Sequence, residues 1–304
     1  MHAIRLVLLG ALCYTAPVLA QQTEFDVLIR GGTVIDGTGA QRFRADVALK
    51  GDRVALVSRD AIAPNRAARV VDATNHIVAP GFIDIHAHID PLPQLPGAEG
   101  AARQGVTFAL GGPDGGSPLP LPPYMAARDS QRIGINVGYL VGHNTVRQRV
   151  MGTVNREPRP DEMRRMKALI AEAMGQGAFG ISTGLRYLPG NFAKFDEVIA
   201  LSRVAADSGG IYTSHLREEG LGLIEGVAEA IEIGRQARVP VVLTHHKSIG
   251  RHMWGSSVRT LAMVDSARKA GIDVQMDQYP YTASSTGISV LIPPWALAGG
   301  DSAF

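Results

Sequence analysis

The sequence is short of cysteine, of excess charge and of long apolar runs, and each shortage narrows what the chain can be. Its 304 residues hold one cysteine, Cys13. Beyond the first twenty residues there is none, which excludes disulfides and thiolate metal ligands there and suits an oxidising compartment. The formal net charge is +2, with Arg5 among the positive groups. A nearly neutral chain has no electrostatic footprint for nucleic acid or anionic lipid, so neither is expected as a partner. The apolar run at residues 6–12 falls far below the roughly 20 residues that a membrane-spanning helix needs. No repeat recurs at solenoid periods, and no Gly-rich first turn marks the phosphate site of a doubly wound sheet.

What is present is ordinary globular material, 45% hydrophobic and 19% charged, enough for one large α/β domain with a small appendage. The first twenty residues read as a secretory signal peptide. Arg5 is the basic region, residues 6–12 are the apolar core, and Val18-Leu19-Ala20 is a small-residue cleavage site before Gln21. A lipid anchor at Cys13 is disfavoured by bulky Leu12 before it and by the short leader. The expectation is an exported protein, periplasmic or secreted, with no membrane association after cleavage.

Residues 21–80 read as short strands and turns. Phe25-Asp26-Val27-Leu28-Ile29 and Ala45-Asp46-Val47-Ala48-Leu49 alternate partly, with Gly31-Gly32, Asp36-Gly37 and Lys50-Gly51-Asp52 as turns. The segment is too short and polar to stand alone and reads as part of a small β-sandwich that needs strands from elsewhere. From Gly81 to the end at 304 the rhythm becomes strand, loop, helix. Apolar strands are expected near 83–85, 106–110, 135–141, 180–182, 210–213, 239–243 and 272–276. A helix over 161–174 places Met163, Met166, Leu169 and Ile170 on one face, and one over 223–236 does the same with Ile224, Val227, Ala228 and Ile231. Seven strands of one kind in series predict a (β/α)₈ (TIM) barrel rather than an open sheet.

The histidines fall where such a barrel does its chemistry. His86 and His88 follow the first strand, and residues two apart on extended chain point to one side. His215 ends the fifth strand and His245 the sixth. Strand C-termini share one rim of the barrel, so four imidazoles converge, and imidazole is a good ligand for zinc and similar divalent ions. A lone His-x-His or strand-end His is commonplace; the shared register is what points to metal. His76 and His252 fit that register less well, and His143 reads equally as a group behind the site, a substrate-facing group or a structural one.

The run Pro80-Gly81-Phe82-Ile83-Asp84-Ile85-His86-Ala87-His88 resembles the first-strand signature of the amidohydrolase superfamily. Further runs resemble the N-acyl-D-amino-acid deacylases, or D-aminoacylases. These are Gly142-His143-Asn144-Thr145-Val146-Arg147, Phe179-Gly180-Ile181-Ser182-Thr183-Gly184-Leu185, Thr213-Ser214-His215-Leu216-Arg217, His245-His246-Lys247 and Asp277-Gln278-Tyr279-Pro280-Tyr281-Thr282-Ala283. The resemblance implies one tightly held Zn²⁺ at His215 and His245, with His86 and His88 near a second position that is weaker or empty. Where the family often has a cysteine ligand after the second strand, this chain matches with Asp114, which reads either as a harder ligand or as the cap of a Gly-rich turn. Lys247, Tyr279 and Ser285 match positions that grip the substrate carboxylate, and Tyr187 matches another pocket residue. The rival readings are a solvated lysine and packing tyrosines.

The activity implied is hydrolysis of the linear amide of N-acyl-D-amino acids, small anionic substrates, yielding D-amino acid and carboxylate. The general acid/base implied is an aspartate after an eighth strand, and no eighth strand is legible before Phe304; neither Asp277 nor Asp301 replaces it convincingly. The chain is therefore expected to be a fragment or truncated product with an exposed apolar barrel edge and little or no activity by itself. A cyclic amidohydrolase of the hydantoinase or dihydroorotase kind is disfavoured, because the fourth strand carries no lysine. A D-dipeptidase and a metal-binding remnant without turnover stay open.

Overall fold

The computed structural model describes residues 23–89 and 92–298. The leader expected at residues 1–20, with Cys13, and Asp301 lie outside the described residues. The chain divides into two compact units, one running to Pro80 and one starting at Gly81.

The first unit is one mixed sheet of β1 (Phe25–Val34), β2 (Phe43–Lys50), β3 (Arg53–Ser58), β4 (Ala67–Asp72) and β5 (Ile77–Val78). β1 to β2 to β3 run antiparallel, while β4 and β5 lie parallel to β1. Gly51 and Asp52 make the expected turn. Gly31-Gly32 does not: both residues lie inside β1, where pairing with β2 shifts between Ile29 and Gly32. Gly31 takes φ +67°, which a glycine adopts without a Cβ clash, so the strand bulges and continues instead of reversing. Buried Asp46 fixes the bulge by accepting the Gly31 N–H at 2.7 Å and the Ile62 N–H at 2.8 Å.

The second unit carries all seven expected strands. They are β6 (Phe82–Asp84), β7 (Val106–Gly111), β8 (Asn136–Tyr139) continued as β9 (Val141–Gly142), β10 (Gly180–Gly184), β11 (Ile211–His215), β12 (Val241–Leu243) and β13 (Val274–Met276). Each is parallel to its neighbours, in chain order. Between them lie α1 (Glu99–Ala102), α2 (Pro122–Gln131), α3 (His143–Met151), α4 (Pro160–Gly175), α5 (Phe195–Asp207), α6 (Leu223–Ala237) and α7 (Ser257–Lys269). Strands alternating with helices, two of which (α3 and α4) lie between β9 and β10, make the parallel α/β barrel architecture. Among the described residues nothing pairs with the free side of β6, and its Phe82 and Ile83 are 65% and 64% exposed.

α4 starts where Pro160 supplies a preset φ and Glu162 accepts the Arg159 N–H at 2.8 Å. Its Met166 and Ile170 are completely buried, contributing roughly 1.5–3 kcal/mol each, with Met163 and Leu169 half-buried beside them as expected. α6 is rotated from its expected face. Leu223, Gly226, Val227, Ala230, Ile233 and Gly234 are buried, while Ala228 is exposed and Ile224 and Ile231 are half-buried. The reason is close approach: a Cβ on Gly234 would sit 2.1 Å from Val241 Cγ2 on β12, and one on Gly226 would sit 2.8 Å from Glu218 O in the loop after β11.

Candidate metal centre and substrate pocket

Short strands ending at one rim deliver the side chains. β6 leads to His86 and His88, β7 to the loop carrying Asp114, β11 to His215, β12 to His245 and Lys247, and β13 to Asp277. These residues, with Tyr187, Tyr279 and Ser285, line one cavity of about 1130 Å³. All nine residues singled out in the sequence are therefore brought together.

Asp114 is at the centre. Its Oδ2 lies 3.4 Å from His86 Nε2 and 3.1 Å from His88 Nε2. Its Oδ1 lies 3.7 Å from His215 Nδ1 and 3.5 Å from His245 Nε2. One carboxylate thus faces two pairs of imidazoles, which a residue serving only to cap a turn would not do. The backbone is bent to place it: Asp114 sits at φ 55° and His245 at φ 39°, both left-handed and both costly outside glycine. Ser182 on β10 holds the Asp114 loop, donating to Gly112 O at 2.6 Å and accepting the Gly115 N–H at 3.1 Å. Asp277 fixes the opposite side, accepting the His245 N–H at 2.5 Å and lying 3.1 Å from His86 Nδ1.

The electrostatics are those of carboxylates crowding imidazoles. Burial opposes charge on His86, but Asp114 and Asp277 outweigh it and push its pKa up to about 9. Burial pushes His215 down to about 4, so that ring is neutral and able to ligate at neutral pH. Burial would raise the Asp114 carboxyl, yet the imidazoles of His245, His86 and His88 crowded around it hold it far below the carboxylate range. Asp114 Oδ1 and Asp277 Oδ2 are nevertheless buried without a hydrogen-bond partner. Orphaned carboxylate oxygens are costly unless a cation meets them. The donor set fits a divalent ion, and the groupings His86–Asp114–His245 and His215–Glu219–His245 each bring three ligand atoms within 4.8 Å of one another.

Lys247 is not a freely solvated lysine. Its Nζ donates to Glu219 Oε1 at 2.5 Å and to His245 O at 3.1 Å, and lies 5.7 Å from the Tyr279 ring centroid. Tyr187 packs its ring 4.5 Å from that of His215, and its hydroxyl lies 3.1 Å from Thr286 Oγ1. Ser285 lines the mouth and is exposed. His143 belongs elsewhere: it is completely buried, with Nε2 2.9 Å from Glu197 Oε1. Its neighbour Asn144 staples the Tyr187 loop, donating to Gly184 O at 3.0 Å and Tyr187 O at 3.2 Å. The Gly142–Arg147 run is thus the scaffold behind the site.

Sequence reasoning missed Glu219 and Arg186 and set Asp277 aside as part of a strand motif. Glu219 is 6% exposed and touches His215, His245 and Lys247. Its position four residues after a strand-end histidine was the available signal. Arg186 brings a second cation to the cavity wall, donating to Glu218 Oε2 at 3.2 Å and Val290 O at 2.7 Å.

Known proteins share the family pattern and the fold. The model of the amidohydrolase family matches residues 69–286. N-acyl-D-glutamate deacylase of Alcaligenes xylosoxydans xylosoxydans is 42% identical over 295 residues, covering 90% of this chain and 59% of the relative. The structure of N-acyl-D-glutamate deacylase from Bordetella bronchiseptica, complexed with zinc and a phosphonate mimic of the tetrahedral intermediate, aligns with a TM-score of 0.79 and 38% identity over 85% of this chain and 59% of that one. A D-aminoacylase structure addressing the role of a binuclear metal centre aligns with a TM-score of 0.77 and 37% identity over 84% and 59%. The chain spans about three-fifths of the length of these relatives.

Proposed function

The chain belongs to the amidohydrolase family, and from that premise we propose that its site hydrolyses the amide bond of N-acyl-D-amino acids, with Zn²⁺ held by His215, His245 and Asp114 and a second position at His86 and His88. The observation that carries the reading is Asp114, whose two oxygens face the two histidine pairs while one of them lacks any hydrogen-bond partner. When bound, a divalent cation supplies Lewis acidity for the acyl carbonyl and the attacking water. The chain's own side chains do the rest of the positioning. Lys247 offers a cation to the substrate carboxylate, with the Tyr279 and Ser285 hydroxyls as further donors. Tyr187 packs its ring against that of His215.

Preference for the D-enantiomer rests on the relatives named above. Arg186 supports a finer reading, an acidic amino-acid side chain, because a second cation on the wall can meet a second carboxylate. The test is amine release by the zinc-loaded full-length natural product, comparing N-acetyl-D-glutamate, N-acetyl-D-leucine and their L-enantiomers. Release from the D-glutamate derivative at least about tenfold faster than from its L-enantiomer is expected, a difference of about 1.4 kcal/mol. Zinc-loaded protein that releases no amine from any of the four refutes the reading, and equal rates on D-leucine and D-glutamate derivatives refute the role of Arg186.

A further inference from the structure

Glu219 lies in the loop after β11, four residues beyond His215, and its carboxylate is almost fully buried. Its Oε1 is 3.1 Å from His245 Nδ1, and its Oε2 is 3.6 Å from His215 Nε2. Each imidazole has two nitrogens, and in both rings Glu219 addresses the one facing away from Asp114. The other two nitrogens, His215 Nδ1 and His245 Nε2, approach each other at 2.7 Å and lie 3.7 Å and 3.5 Å from the orphaned Asp114 Oδ1. The two edges to Asp114 Oδ1 are near the size expected for donors around one ion at about 2.0–2.2 Å, while the 2.7 Å edge between the nitrogens is shorter, a hydrogen-bond distance. A single ring cannot turn both nitrogens to the same ion, so a carboxylate on the far nitrogens is placed to orient the rings and not to share the ligand set.

We propose that Glu219 is the positioning residue for both metal-facing histidines, and that it ties them to the lysine of the substrate pocket. An acceptor at His245 Nδ1 holds the ring proton there and leaves Nε2 with its lone pair toward Asp114. Lys247 Nζ also reaches His245 Nδ1, at 2.8 Å, but has other acceptors in Glu219 Oε1 at 2.5 Å and His245 O at 3.1 Å. With its protons on those oxygens, one carboxylate anchors His215, His245 and Lys247 together. The loop is itself pinned, since Ile249 N–H donates to Glu219 O at 2.8 Å and joins the segments that follow β11 and β12.

This inference rests on the reading of the cavity as a metal centre, and its test separates the two. The full-length protein, E219Q and E219A are stripped and titrated with Zn²⁺ against a chromophoric chelator. The Co²⁺-loaded forms are then compared by their visible absorption. The expected result is unchanged stoichiometry, roughly 10- to 100-fold weaker Zn²⁺ binding in E219A, a smaller loss in E219Q, whose amide oxygen still accepts from His245, and the same Co²⁺ band positions in all three. E219Q, nearly isosteric, keeps the test open where E219A does not fold. Unchanged Zn²⁺ affinity in both variants overturns the positioning role. Lost stoichiometry with a shifted Co²⁺ spectrum overturns it too, making Glu219 a direct ligand. A wild-type protein that takes up no Zn²⁺ instead overturns the metal centre itself.

Discussion

Two buried clusters in the second unit combine histidine, carboxylate and a basic side chain, and they do different things. Behind the rim, Glu197 accepts from Arg147 Nη1 at 2.5 Å through Oε2 and lies 2.9 Å from His143 Nε2 through Oε1, so both of its oxygens are matched. Arg147 also donates to Arg156 O at 2.7 Å, closing the cluster against the backbone. At the rim, Glu219 pairs with Lys247 while Asp114 and Asp277 face imidazoles, and one oxygen of each of these two has no hydrogen-bond partner. The atoms left over behind the rim are nitrogens, His143 Nδ1 and Arg147 Nε, which do not call for a cation. A carboxylate with both oxygens matched, away from the cavity, is structural material; buried carboxylate oxygens left without a partner beside the cavity mark a site.

The comparison breaks most visibly if the rear cluster is opened. E197A leaves Arg147 buried without its counter-charge and is expected to cost about 3–5 kcal/mol of stability in denaturant unfolding. The Zn²⁺ affinity of the folded fraction should stay at the wild-type value. A loss under about 1 kcal/mol would mean that the cluster does not hold the scaffold.

D114A should do the reverse. Zn²⁺ affinity is expected to fall by more than the roughly 100-fold ceiling for losing an outer partner, while the metal-free protein loses no more than about 1 kcal/mol. Retained zinc binding in D114A would reduce Asp114 to a turn residue and remove the contrast.

Acid gives the smallest effect and sharpens the rear cluster. Burial raises the Glu197 carboxyl, but the His143 hydrogen bond and the charges of His143 and Arg147 outweigh it and hold its pKa below the ordinary value. A carboxyl depressed in the fold contributes stability that is fully present above its unfolded value, about 4.3, and is lost as pH falls through the lower folded value. Wild-type protein should therefore lose stability below about pH 4.3, and E197Q should show a shallower acid limb over the same window. Parallel limbs for the two proteins would remove Glu197 from the account.

Much of this was legible beforehand because strand ends are periodic objects. Each of β6 to β13 showed as an apolar run, and a barrel turns the residues at the ends of such runs toward one rim. The four histidines could be placed by position alone, whereas Lys247 was marked only by the family resemblance. Glu219 and Asp277 could not be ranked, since a carboxylate in a loop carries no period and the chain holds 28 acidic residues. The face of α6 was misjudged for a related reason. Hydrophobic periodicity counts side chains, whereas Gly226 and Gly234 are buried because they have none. At Gly31-Gly32 composition suggested a reversal, but pairing with β2 resumes past the bulge and the strand runs on.

The sequence by itself determined that strands and helices alternate from Gly81 and that imidazoles sit where the strands end, because backbone periodicity and apolar runs are local properties of the chain. Only the tertiary structure decided which nitrogen of each ring faces Asp114, that Asp114 lies between two histidine pairs, and that Glu219 stands behind two of the rings. His86 meets Asp114 from 28 positions away, His215 meets His245 from 30, and Asp277 joins His245 and His86 from 32 and 191, through loops whose left-handed turns at Asp114 and His245 aim the side chains. Metal-ligand geometry is set over tenths of an ångström, and a distance of that size between remote residues exists only once the chain has folded.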